Sequence, residues 1–138
     1  MRIRAFEPSD YAAARALWEA TDGVGLSAAD EREAICAYLA RNPAMSFVAE
    51  DPELVGTILC GHDGRRGFIH HLMTASAHRR RGIARALLER GLAVLRREGI
   101  DKCHLLVYRS NADGHAFWRR LGAEERLELA LFSLTTHT

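Results

Sequence analysis

The residues best suited to chemistry crowd into one span of this 138-residue chain, "FIHHLMTASAHRRRGIARALLER", residues 68–90. It opens with His70 and His71, whose near-neutral pKa suits proton abstraction or a water relay. Eight residues after His71, Arg79, Arg80 and Arg81 run into Gly82, Ile83 and Ala84 at what reads as the start of an amphipathic helix. A helix N-terminus leaves backbone N–H groups unpaired and partly positive, so arginines there oppose the helix dipole. The arrangement makes sense when an anion sits on those N–H groups and the guanidinium groups add charge-assisted bonds. Gly82 lets a phosphate approach the backbone closely, and small Ala84 keeps a second approach open. Residues 79–84 therefore read as a diphosphate cradle fed by a strand.

Other chemistries find less support. Cys60, His62, Asp63, His70 and His71 match no zinc spacing, so no metal is expected. Cys60 reads as inert strand core rather than a nucleophile. Lys102 is the single lysine, which leaves little room for lysine-based covalent chemistry. The three cysteines, Cys36, Cys60 and Cys103, are odd in number and widely spaced, which points to a reducing, cytoplasmic setting. Residues 1–60 carry five Arg against ten Asp/Glu, while residues 61–138 carry fourteen basic residues against eight acidic ones. An anionic ligand should prefer the second half. A nucleic-acid module is the rival reading of that charge, but aromatics make up only 7% and no recognition motif is evident. No apolar run is long enough to span a membrane, and "MRIRAFEPSDY" lacks the apolar core of a signal peptide.

The elements that must position these residues follow from periodicity. Residues 3–6 read as a strand. Ser9 or Asp10 caps a helix through Tyr11, Ala14, Leu17 and Trp18, and Ser27 caps a second with Ile35, Tyr38 and Leu39. Residues 45–51 and 54–63 form a hairpin, and "GRRG" turns the chain into a strand at 68–75. Ile83, Leu87, Leu88, Gly91, Leu92 and Leu95 share one helical face, with the helix ending near Gly99. A strand at 102–108, a short helix stopping at Gly122 and a last strand at 127–134 complete the order. This is one α/β (α+β) domain over 1–138, a mixed sheet with helices on both faces.

The run Arg79-Arg80-Arg81-Gly82-Ile83-Ala84 fits the R/Q-x-x-G-x-G/A signature of the GCN5-related N-acetyltransferases. With the hairpin, the strand before the signature, and Asn111, Trp118 and Gly122 after it, the chain resembles that superfamily over nearly its whole length. The "GHDGRRG" loop and the length resemble its small, stand-alone bacterial RimI-like branch. The resemblance implies a central sheet of about six to seven strands with about four helices, and acetyl-CoA as donor to a primary amine. By the same resemblance, Leu72, Met73 and Thr74 would bind pantetheine and the thioester through their backbone. Arg79 to Ala84 would hold the pyrophosphate, and Asn111, Phe117 and Trp118 would lie by the cofactor, with Arg119 and Arg120 either near its 3′-phosphate or on a solvated face.

The chain departs from the family where it matters for catalysis. Trp118 stands in place of the usual Tyr acid, which leaves unassisted departure of the thiolate, Tyr108 as a substitute, or a non-catalytic acetyl-CoA sensor. No Glu lies on the strand before the signature, so His70 or His71 is the expected base. Strand alternation lets at most one of them face the cleft, and His70 shares parity with Leu72 and Thr74. The acidic first half, by the acceptor mouth, favours a cationic amine. A monomer or homodimer is expected.

Overall fold

A computed structural model describes residues 1–137. The chain folds as two compact units, Met1–Leu106 and Val107–Thr138. The first contains a five-stranded sheet in chain order: β1 (Arg2–Ala5), β2 (Phe47–Glu50), β3 (Leu54–His62), β4 (Gly67–Thr74) and β5 (Cys103–His104). β1 to β4 pair antiparallel and β4 pairs parallel with β5, giving the mixed sheet read from the sequence.

Alternation along β3 assigns the two faces. Gly56, Ile58 and Cys60 lie under α3 (Ile83–Arg97), where a Cβ at Gly56 would stand 3.1 Å from Leu87 and one at Gly91 would stand 3.1 Å from Ile58. Leu87 is fully buried there, worth roughly 1.5–3 kcal/mol for a side chain of its size. Thr57, Leu59 and Gly61 face α1 (Tyr11–Glu19) and α2 (Arg32–Arg41). Trp18 anchors that side, 1% exposed and packed among Phe6, Tyr11, Val48, Leu59 and Met73.

Capping departs in part from the sequence reading, since Asp10 precedes α1 and Glu31 precedes α2 without a side-chain cap bond. Ser27 and Asp30 exchange hydrogen bonds in a capping box around a 3-10 turn, Ala28–Asp30, just before α2. Gly99 ends α3 at φ +81°, its N–H bonded to the Arg96 carbonyl, a left-handed stop that glycine adopts without strain. Arg4 joins β1 to the start of α1 and to β2 through Asp10 at 2.7 Å and Glu50 at 2.9 Å. The Arg4 guanidinium holds both carboxyl groups below their usual range.

Two expectations change. The strand expected at 102–108 is reduced to Cys103–His104, and 127–134 forms no strand among the described residues. The sheet therefore has five strands rather than six or seven. A strand needs a neighbour for its N–H and C=O groups, and residues 127–134 have none recorded, whatever their alternation. Leu127, Leu129, Leu131, Phe132 and Leu134 are exposed as a result. In the second unit, α4 (Ala112–Arg120) ends at Gly122, φ +95°, as the sequence anticipated.

Candidate active site

The parallel pairing of β4 with β5 is confined to Gly67–Cys103 and Phe68–His104. Beyond Phe68 the β5-side edge of β4 has no strand partner among the described residues, which leaves that edge unpaired along Ile69–Thr74. Leu72, Met73 and Thr74 lie along it with side chains 7–8% exposed. The Thr74 hydroxyl is buried without a hydrogen-bond partner.

The chain then passes a 3-10 turn, Ser76–His78, into the arginines. Arg80 and Gly82 both lie in the left-handed region, at φ 65° and 77°. Gly82 caps α3 with no side-chain hydrogen bond, leaving the first-turn N–H groups of Ile83 and Ala84 without a side-chain cap. A Cβ at Gly82 would meet nothing within 4 Å, so glycine is required there by its φ and by open approach, not by crowding within the chain. Arg79, Arg80 and Arg81 are exposed. Arg81 is 3.7 Å from Asp51, which also lies 4.0 Å from His78, a carboxylate contact that the sequence did not reveal.

β4 itself is bulged. Thr57 pairs with Met73 and Leu59 with His70, so Ile58 stands opposite two residues, His71 and Leu72. His71 takes the strain at φ 49°, uncommon for a residue with a Cβ. The extra residue cancels the alternation, and both histidines turn to the α1/α2 face, contrary to the expectation that at most one would. The His70 ring meets Tyr38 of α2 edge-on at 6.1 Å, while His71 packs on Trp18 of α1 at 4.5 Å.

The two histidines differ in their bonding. His71 Nε2 lies 2.6 Å from Asp30 Oδ1, both side chains about one-tenth exposed. Asp30 Oδ2 accepts the Ser27 N–H at 2.9 Å, and the Asp30 carbonyl accepts from the Tyr11 hydroxyl at 2.7 Å. Thr57 Oγ1 donates to the His71 carbonyl at 2.7 Å and accepts the Trp18 indole N–H at 3.0 Å. His70 has no such ion pair recorded. Its ring stacks on Phe68 at 5.9 Å and keeps an exposed edge, and burial, with His71 beside it, lowers its pKa, partly opposed by Asp30.

His70 and Tyr38 line two adjoining cavities on this face, of ≈340 and ≈250 Å³. Burial pushes the Cys60 thiol up to about 12 and raises Cys103 as well, so neither is a nucleophile at neutral pH.

In the second unit, Asn111 Oδ1 accepts the Gly114 N–H at 3.0 Å and caps α4. A Cβ at position 114 would come within 2.5 Å of the Asn111 amide, which accounts for glycine there. Phe117 and Trp118 meet edge-to-face at 5.4 Å, both half-buried. Tyr108 is 62% exposed. Arg119 is paired with Glu125 at 3.0 Å.

Residues 11–123 match the family model described as Acetyltransferase (GNAT) family. The chain belongs to that family. Membership makes it an acetyl-CoA-dependent N-acetyltransferase. An acetyltransferase of Photorhabdus laumondii is 35% identical over 139 residues, covering 96% of this chain and 94% of that protein. One from Pectobacterium atrosepticum is 37% identical over 112 residues, covering 80% of this chain and 79% of that protein. The structure of the PaiA N-acetyltransferase of Thermoplasma acidophilum in complex with coenzyme A superposes with a TM-score of 0.71 at 20% identity, covering 86% of each chain.

Asp30, Thr57, Trp18 and Tyr38 were not singled out as site residues from the sequence. Ser27 was legible as a cap, but its pairing with Asp30 and the link from Asp30 to His71, 41 positions away, were not.

Proposed function

We propose that this acetyltransferase works by direct attack of a primary amine in a ternary complex, with His70 as the general base. The observation that carries this assignment is the division of labour at the bulge, where His71 is tied to Asp30 and His70 faces the cavities without an ion pair. A base must be unprotonated before it acts, and the lowered pKa of His70 keeps its ring neutral at physiological pH.

Acetyl-CoA, when bound, supplies an activated thioester carbonyl. The fit rests on the unpaired edge of β4, the orphaned Thr74 hydroxyl and the left-handed start of α3. Leu72, Met73 and Thr74 would hold the pantetheine and carbonyl end, and Arg79 through Ala84 the pyrophosphate. Backbone N–H groups on the open β4 edge would stabilise negative charge developing on the carbonyl oxygen. His70 takes the amine's proton at a ring nitrogen as the new C–N bond forms and the C–S bond breaks. Trp118 contributes no proton, because an indole N–H is a donor but not a useful acid. A thiol pKa of about 8.5 is low enough for the sulfur to leave as thiolate and take its proton from water. Asn111 spends its side-chain oxygen on the α4 cap, which supports an indirect role in shaping the α4 start.

The test separates binding from transfer. Calorimetric titration of His70→Ala with acetyl-CoA should match the unmodified chain, while acetylation of its best acceptor slows by about 10²-fold or more. Equal rates for the two proteins would remove His70 as the base.

A further inference from the structure

The two cavities on the α1/α2 face form one divided site. The ≈250 Å³ chamber is walled mainly by Ala34, Ile35 and Leu59, and is apolar apart from His70, Tyr38 and an Asp30 whose carboxylate is already paired with His71. The ≈340 Å³ chamber is walled by Phe68 and Gly61 and carries Arg41 and Arg66. Tyr38 and His70 belong to both chambers, so a molecule spanning them passes the proposed base.

The charges of the larger chamber are unevenly spent. Asp63 Oδ1 accepts the N–H groups of Arg65 and Arg66 at 2.8 and 2.9 Å, which holds its carboxyl below the usual range and engages that oxygen. His62 and Glu98 face one another at 3.2 Å. Arg66 Nη1 donates to the Arg65 carbonyl at 3.0 Å and has a loose, exposed contact with Asp101 at 3.4 Å. Arg41, in the last turn of α2, has no recorded ion pair or hydrogen bond among the described residues. The Tyr38 hydroxyl is buried beside Gly61 with no partner, and a Cβ on Gly61 would come within 2.7 Å of it. Cationic side chains with spare capacity and an unspent hydroxyl suit a carboxylate. Asp30 is the one acidic residue of the first sixty that lines either chamber, and it is paired with His71.

We propose that this divided cleft is the acceptor subsite and that it takes a free α-amino acid with an apolar side chain. The side chain fills the Ile35–Leu59 chamber, the carboxylate lies toward Arg41 and Arg66, and the α-amine stands at His70. A peptide N-terminus lacks the carboxylate at that distance from its amine, and a polyamine would set like charges against the arginines. The assignment rests on the acetyl-transfer reading above, whose acceptor it names.

The test uses the full chain with acetyl-CoA and follows CoA release for L-leucine, L-leucinamide, isopentylamine and spermidine. L-leucine should exceed leucinamide and isopentylamine in kcat/KM by about tenfold or more, the loss expected for a charge-assisted contact. Arg41→Ala should remove that preference chiefly through KM for leucine, and Ala34→Trp should raise KM for leucine while acetyl-CoA affinity holds. Transfer to leucinamide, isopentylamine or spermidine as fast as to leucine would overturn the proposal and leave acetyl transfer standing. A second readout does not depend on turnover. N-acetyl-L-leucine, the product, should raise the melting temperature of the unmodified chain and not that of Arg41→Ala. No shift at millimolar product would overturn the cleft assignment, whether or not acetyl-CoA binds.

Discussion

The start of α3 and the bulge of β4 both depart from regular geometry, but they are built in opposite ways. At α3 the departure lies in the backbone, with Arg80 and Gly82 left-handed, exposed arginines around them and no side chain capping the first turn. At β4 the single strained residue, His71, is clamped by side chains, with Asp30, Thr57 and Trp18 meeting its ring or carbonyl. An open backbone can wrap an anion of fixed shape, whereas a clamped bulge holds the neighbouring His70 in one place. On the proposed reading the first is a binding device and the second a positioning device.

Mutations should separate the two, and the largest effect belongs to His70. His70→Ala should cost about 10²-fold or more in transfer rate with no change in acetyl-CoA affinity. A parallel loss of affinity, read by calorimetry, would merge the two devices into one. Gly82→Val should do the reverse. Holding a β-branched residue at φ 77° costs about 1–3 kcal/mol, so acetyl-CoA affinity should fall by roughly 5- to 150-fold. Unchanged affinity would reduce the cradle to an ordinary basic helix start.

Thr57→Val should act on stability first. It leaves the Trp18 N–H and the His71 carbonyl without their partner in a buried site, a loss of about 1–3 kcal/mol. Thermal melting reads that loss, and a Tm close to that of the unmodified chain would show that the bulge needs no clamp. The smallest effect is the pH dependence of His70. A histidine with a lowered folded-state pKa binds protons better when unfolded. Its stability contribution is therefore present above the ordinary value of about 6.5 and is lost as pH falls toward the lower folded value. Denaturation curves of the chain and of His70→Gln should converge in slope against pH above 6.5 and part below it. Parallel curves throughout would place the ring in solvent.

Much of this was legible from residue types. The left-handed Gly82 at the start of α3 stands where the arginine–glycine run placed a helix start, because φ preference is local. Ser27 as a capping residue and the glycine stops of α3 and α4 were equally local. The alternation of residues 127–134 was read as a strand that the structure does not contain. Alternation records which side chains would share a face, while a strand also needs a partner edge.

The sequence by itself pointed to the family, the order of elements as far as α4 and the place of the arginine–glycine turn, because periodicity, capping and φ preference act within a few residues. Tertiary structure decided that β4 parts from β5 after Phe68, that one extra residue turns His70 and His71 to the same face, and that Asp30 reaches across 41 positions to hold the second of them. Those outcomes depend on register between strands and on contacts between distant elements. No local pattern encodes them, since moving a strand's register by one residue exchanges every inward side chain for its outward neighbour.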